Sequence, residues 1–173
     1  MREMKELISQ KDINKRLEEL AKQIEKDYEG KEILVLCVLK GASFFAIELT
    51  QKIKNKIEFE FIELSSYANA TQSSGTVTLR KDIKNSIEGK DVLVIEDIID
   101  SGRTLKYLKE HLESKKPNSV KICTLLNKPS RRVVDVPVQY VGFEIPDYFV
   151  LGYGLDYEEY YRNLPYIAYI EEG

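Results

Sequence analysis

Apolar residues near the start of the chain recur at helical spacing: Ile13, Leu17, Leu20, Ala21, Ile24 and Tyr28 share one face. Ser9, with Asp12 three residues on, reads as the helix start and Gly30 as its stop. The pattern then changes. Residues 32–39, EILVLCVL, are an almost unbroken apolar run, which predicts a strand buried on both faces of a parallel sheet. A helix over 43–54 follows, with Phe45, Ala46, Leu49 and Ile53 on one face, then a strand over 57–64. The alternation resumes with a strand at 91–97 (DVLVIED), a helix at 103–114 and a strand at 119–126 (SVKICTLL). Between them, residues 65–79 (SSYANATQSSGTVTL) are rich in Ser, Thr, Asn and Gly and read as a long hairpin or mobile excursion. Alternating strands and helices predict an α/β fold with a central, mostly parallel sheet flanked by helices. In such sheets ligands bind beyond the carboxyl ends of the strands.

Composition narrows this picture. Of 173 residues, 43% are hydrophobic, enough for one core of this size, and the 32% that are charged stop short of the disordered regime. No repeat, low-complexity tract or linker divides the chain, so one domain spanning residues 1–173 is expected. Net charge is 26 minus 29, or −3, which argues against a globally basic nucleic-acid binder. The longest apolar run, Ile33 to Leu39, is too short to span a bilayer, and MREMKELISQKD lacks the apolar centre of a signal peptide. No membrane or nucleic-acid partner is expected, and the expected location is the cytoplasm. Cys37 and Cys123 each sit in an apolar run and read as buried, reduced thiols. With no CxxC and a single histidine, no Cys/His metal site is expected. That histidine, His111, falls in a helical stretch and reads as a surface or half-buried helix residue, not a catalyst.

Chemistry concentrates at the end of the central strand. VLVI runs into Glu96-Asp97-Ile98-Ile99-Asp100-Ser101-Gly102-Arg103-Thr104 and then a helix. A helix start offers unpaired N–H groups and a positive dipole end, which suit a phosphate. Gly102 lets backbone approach an anion, and Ser101 and Thr104 supply hydroxyl donors. Carboxylates beside a phosphate make sense if they hold sugar hydroxyls or Mg²⁺. A simple helix cap would explain Asp100 or Ser101 alone, but not the paired acids after the apolar strand.

VLVIEDIIDSGRTL resembles the phosphoribosyl-pyrophosphate motif of type I phosphoribosyltransferases. Three further segments are similar to the hypoxanthine-guanine phosphoribosyltransferase family. Leu36–Ala42 (LCVLKGA) resembles its pyrophosphate loop, Ser65-Ser66-Tyr67 onward its cover loop, and residues 141–167 its purine-binding region. The resemblance implies the type I fold, with a small hood formed by the N- and C-terminal segments and a cover loop at about 65–79. It implies Mg²⁺-dependent transfer of ribose 5-phosphate from phosphoribosyl pyrophosphate to a 6-oxopurine, as purine salvage, in a homodimer or homotetramer.

The resemblance also implies a role for each matching residue. Glu96 and Asp97 would hold the ribose hydroxyls, directly or through Mg²⁺. Asp100 would lie near purine N7 as general base or hydrogen-bond partner. Ser101, Gly102, Arg103 and Thr104 would cradle the 5-phosphate. Lys40 and Gly41 would turn main-chain N–H groups toward pyrophosphate, beside a Leu39-Lys40 peptide that is cis in some members. Taken alone, Lys40 is an ordinary loop lysine and Lys128 one more charge in a basic turn. Within the matched segments, Lys128 would donate to the 6-oxo group, which adenine lacks. Phe149 would stack on the base and the Val150 main chain would meet its edge. Asp156 would coordinate Mg²⁺ bound to pyrophosphate and help set the base edge, Arg162 would bind pyrophosphate, and Ser66 and Tyr67 would close over the site.

Two positions depart from the pattern. Tyr148 stands where many members carry Lys, which bears on base preference, and Ala68 stands where bacterial members often have Gly, which bears on the cover loop. The rival readings are a regulator built on the same fold, a phosphoribosyltransferase for xanthine or another base, and a non-catalytic α/β interaction domain.

Overall fold

The computed structural model describes residues 3–66 and 77–171. Strand β2 (Ile33–Leu39) lies at the centre of a six-stranded sheet, with β3 (Ile57–Ser66) and then β4 (Val77–Lys81) on one side. On its other side lie β5 (Asp91–Ile99), β6 (Ser119–Asn127) and β7 (Tyr140–Glu144). All pairs are parallel except β3 with the edge strand β4. Chain order runs outward from β2 to β4 and then restarts at β5, so direction reverses between β2 and β5. The crevice at such a reversal, outside the carboxyl ends of the strands, is where open α/β sheets bind ligands.

The unbroken apolar runs are explained by burial on both faces. Ile33, Val35, Cys37, Leu93 and Ile95 pack with α1 (Gln10–Asp27) and α2 (Ser43–Thr50). Leu34, Leu36, Val38, Val92 and Val94 pack on the opposite face with Leu105, Leu108 and Leu112 of α3 (Arg103–Glu113). Ile13, Leu17, Leu20 and Ile24 of α1 are fully buried, each worth roughly 1.5–3 kcal/mol of transfer free energy. Ser9 Oγ accepts the Asp12 N–H at 3.1 Å, as expected for the helix start. Cys37 and Cys123 are buried, unlinked thiols, and burial pushes the Cys37 thiol up to about 12. His111 sits on α3 with Nε2 3.1 Å from Asp82 Oδ1.

A separate three-stranded sheet, ordered β1-β9-β8, joins β1 (Met4–Ile8), β9 (Ile167–Ile170) and β8 (Phe149–Leu151). Leu151, Ala168 and Ile170 form its small core. The chain's first strand thus pairs with its last, and nothing in the polar-apolar order of MKELI signals it. Among the described residues, no helix is long and apolar enough to cross a membrane.

Several boundaries differ from expectation: the 57–64 strand runs to Ser66, the 119–126 strand to Asn127, and the 103–114 helix ends at Glu113. The helix predicted over 43–54 ends at Thr50. Beyond it the backbone tightens to bonds from Lys52 N to Leu49 O and Ile53 N to Thr50 O, and Lys54 N is captured by Glu25 of α1 at 2.9 Å. The central strand runs to Ile99 instead of Asp97, because Ile98 and Ile99 still pair with Leu126 and Asn127 of β6. Glu96 and Asp97 are therefore strand residues. Of the 65–79 excursion, the flanks pair as an antiparallel hairpin, Ser66 opposite Val77.

Candidate active site

The crevice between β2 and β5 is built by close backbone approach. The chain leaves β2 through a cis Leu39–Lys40 peptide and passes Gly41, whose Cα lies against Asp97. Gly154, at φ +98°, packs in turn on the Gly41 carbonyl, leaving no room for a β-carbon. Arg162 fixes that second layer: its Nη1 donates to Gly154 O at 2.7 Å, and Nη2 lies 3.5 Å from Asp156 Oδ1. Tyr153 anchors the same loop to α2 by donating to Glu48 Oε2 at 2.5 Å. Lys40 turns its exposed ammonium to Glu159 at 3.3 Å. Lys40, Gly41, Asp97, Asp156 and Arg162, far apart in sequence, are thus linked through a few direct contacts.

Glu96 is 7% exposed and lies beside half-buried Asp97. Desolvation, reinforced by the neighbouring Asp97 charge, holds the Glu96 carboxyl well above the usual range. Desolvation raises Asp97 too, partly offset by its bond from the Ile98 N–H at 2.7 Å. Among the described residues no lysine or arginine pairs with either acid, so this buried pair lacks a cation. Nor do they cluster with a third His, Cys, Asp or Glu that could complete a metal cage; Asp156 instead accepts the Glu159 N–H at 2.9 Å and faces Arg162. Two hard carboxylates with open positions fit Mg²⁺, which is held by one or two carboxylates together with water and substrate oxygens.

The phosphate-cradle segment follows β5. Gly102 caps α3 at φ +89°, a conformation that costs a residue with a side chain. Ser101 Oγ accepts the Arg103 N–H at 3.2 Å, and Thr104 lies in the first helical turn. The segment after β6 straps this turn from outside: Val133 N and Val134 N donate to Ser101 O at 2.9 and 3.0 Å. Arg132 Nε donates to Asp100 O at 3.2 Å, while its Nη2 donates to Asn127 Oδ1.

Lys128 is only 8% exposed. Its ammonium lies 3.8 Å from Asp100 Oδ1 and 3.5 Å from Asp147 Oδ1. Phe149, two residues beyond Asp147, is 43% exposed and is met edge-on by Tyr157, with centroids 5.5 Å apart. An exposed phenyl ring of this kind suits stacking on a flat heterocycle. Val150 is buried in β8, and Tyr148 stacks on Tyr169 at 4.6 Å. Ser66 ends β3, whereas Tyr67, Ala68 and the rest of the expected cover loop to residue 76 lie outside the described residues.

The phosphoribosyl transferase domain family matches residues 3–158. A hypoxanthine-guanine phosphoribosyltransferase of Streptococcus thermophilus is 51% identical over 96% of this chain and 92% of its own. The chain belongs to the hypoxanthine-guanine phosphoribosyltransferase family. The Staphylococcus aureus member is 49% identical over 94% of this chain and 90% of its own. A crystal structure of the Bacillus anthracis member superposes with a TM-score of 0.94 at 51% identity, covering 99% of this chain and 100% of that one. The fold is that of the type I phosphoribosyltransferases, and the chain is an enzyme of this family, as its motifs implied.

The sequence of this phosphoribosyltransferase does not by itself single out Asn127, Arg132, Asp147, Tyr157 or Glu159. Arg132 and Asp147 are visible there only as charges in KPSRR and IPDYF. What gives them meaning is the folding of both segments onto the end of β5.

Proposed function

We propose that this enzyme transfers the 5-phosphoribosyl group from phosphoribosyl pyrophosphate to hypoxanthine or guanine in purine salvage, releasing pyrophosphate. One observation carries the reading: a largely buried acidic pair, with no lysine or arginine paired to it among the described residues, sits at the sheet's reversal, with the Gly41 loop on one side and the Gly102 helix start on the other. Glu96 and Asp97 bind the ribose hydroxyls, and the Ser101–Thr104 segment receives the 5-phosphate. The Lys40-Gly41 loop and Arg162 take the pyrophosphate, whose oxygens suit the planar guanidinium fork. Phe149 stacks on the base, Val150 meets its edge through the main chain, and Lys128 donates to the 6-oxo group.

In the reaction the C1′–O bond breaks and its electron pair leaves on pyrophosphate, while purine N9 bonds to C1′. The N7 proton passes to the Asp100 carboxylate, which is exposed enough to accept it and stands 3.8 Å from Lys128. Glu96 and Asp97 would hold Mg²⁺ on the ribose side, and Asp156, apart from them beside Arg162, would meet Mg²⁺ carried by the pyrophosphate. The metal would supply charge neutralisation of the leaving group. Aligned N–H groups and Arg162 act on the same developing charge. Small-molecule substrates and two buried, unlinked thiols support action in the cytoplasm. Exposed Phe44 and Ile47, one turn apart on α2, support a homodimer or homotetramer. Residues 1–173 act as one domain, with the β1-β9-β8 sheet as its hood.

The test is phosphoribosyl pyrophosphate with each purine in turn, with Mg²⁺ and with a chelator. Nucleotide is expected from hypoxanthine and guanine and not from adenine, with loss on chelation and recovery on adding Mg²⁺. No nucleotide from any 6-oxopurine overturns the reading.

A further inference from the structure

Lys128 is a nearly buried cation between two carboxylates that come from different parts of the chain. Asp100, at the end of β5, is 3.8 Å away, and Asp147, from the turn between β7 and β8, is 3.5 Å away. The Asp147 oxygen that faces Lys128 also lies 3.2 Å from Arg131 Nε. The turn carrying Asp147 is itself fixed: Ile145 N donates to Asn127 O at 2.9 Å, and Tyr148 N to Pro146 O at 2.7 Å. The Lys128 backbone is pinned by its N–H on Ile99 O at 3.0 Å. What remains free is the four-carbon stem, which by itself does not fix where the ammonium points.

We propose that Asp147 is a positioning residue for base specificity: it holds the Lys128 ammonium at the purine edge and off the Asp100 carboxylate. This rests on the assignment of Lys128 to the 6-oxo group. A buried ammonium offered a single carboxylate settles on it. Here that carboxylate is Asp100, the proton acceptor, so an unopposed Lys128 would occupy the base and desert the purine at once. Asp147 pulls from the other side, and Arg131, with its largely exposed side chain, steadies Asp147 from the solvent. Lys128 then stands between the two acids with donors to spare for a carbonyl oxygen. Adenine brings an amino group to that place, so donors face donors and are left unpaired, which is the contrast that rejects it. Asp147 also lies two residues before Phe149, so one short turn carries both the stacking ring and the charge that aims the lysine.

Steady-state kinetics of Asp147→Asn test this, with Asp147→Glu and Lys128→Ala alongside. Removing the charged partner of a buried lysine corresponds to about a 10- to 100-fold change. Asp147→Asn is expected to raise the KM for hypoxanthine and guanine about 10-fold or more and to lower kcat, with the KM for phosphoribosyl pyrophosphate within about twofold of wild type. Asp147→Glu, which keeps the charge on a longer stem, is expected between wild type and Asn. Should the Asn variant fail to fold, the Glu variant carries the test. An unchanged purine KM in the folded Asp147 variant overturns the proposal, as does a rise of both KM values together, the mark of general loosening. If Lys128→Ala also leaves the purine KM unchanged, the assignment of Lys128 itself fails. If Lys128→Ala raises it and Asp147→Asn does not, the role of Asp147 alone is lost.

Discussion

Gly41 lies against Asp97 so closely that a β-carbon on Gly41 would overlap the Asp97 carboxylate and stand 2.8 Å from its Cγ. Gly41 follows β2, and Asp97 lies near the carboxyl end of the adjacent parallel strand β5, at the point where chain order reverses. Loop and acid therefore form one surface, and the missing side chain at position 41 is what lets them do so. Gly41→Ala has to displace either the carboxylate or the loop. A displacement near 1 Å at a catalytic constellation costs about 10²-fold in rate. The expected result is a loss of that order in kcat/KM for phosphoribosyl pyrophosphate, with circular dichroism and thermal midpoint close to wild type. Wild-type kcat/KM would show that the close approach has no catalytic consequence.

Of the two carboxylates beside Lys128 among the described residues, Asp100 belongs to the turn that follows β5 and Asp147 to the turn before β8. Asp100→Asn keeps the shape and removes the proton acceptor. General-base contributions run to about 10²–10⁴-fold. Turnover is expected to fall within that range while the phosphoribosyl pyrophosphate KM changes modestly. Measuring kcat with hypoxanthine decides it, and an unchanged kcat removes Asp100 from the base role.

Glu96 predicts a trade of stability against function. Its folded-state pKa lies above the unfolded value, because burial and the Asp97 charge penalise ionisation. Its contribution is therefore fully present below the ordinary carboxylate range and is lost as pH rises through the raised folded value. In chelator, Glu96→Gln is expected to stabilise the ligand-free protein at neutral pH by about 1 kcal/mol, or about 2–4 °C for a chain of this size. Near pH 4 the difference should vanish. The same variant should lose use of phosphoribosyl pyrophosphate. Thermal midpoints of both proteins across pH check this; a gain that is independent of pH, or no gain, contradicts it.

Arg132 braces the acidic turn from behind by donating to Asp100 O and Asn127 Oδ1. Arg132→Ala removes both bonds next to the phosphate cradle, at roughly 1–3 kcal/mol for hydrogen bonds to a charged group. The expected effect is a phosphoribosyl pyrophosphate KM raised about 10-fold with the hypoxanthine KM little changed. Equal weakening of both substrates would mean that the strap supports the whole site and not the cradle.

Much of this is legible in the sequence because it is local. A strand buried on both faces must be apolar throughout, so EILVLCVL and DVLVIED announce the central sheet. Turn chemistry requires particular residues at particular steps, so Asp100-Ser101-Gly102 announces a helix start with a cradle. The end of the 43–54 helix is not legible, because its last turn is cut short by Glu25, a residue of another helix. Strand β1 is hidden because only Ile8 of its five residues is buried and its partner lies at the far end of the chain.

The order of residues alone determined the α/β alternation, the acidic turn and the family, since each is written in contiguous segments whose backbone or burial demands a specific residue type. Only the tertiary structure decided that Gly154 stacks on Gly41 and Gly41 on Asp97, and that Asp147 and Asp100 share Lys128. These pairings join segments separated by tens of residues, and a side chain's partner across such a distance is set by strand order and packing. No periodicity along the chain encodes it.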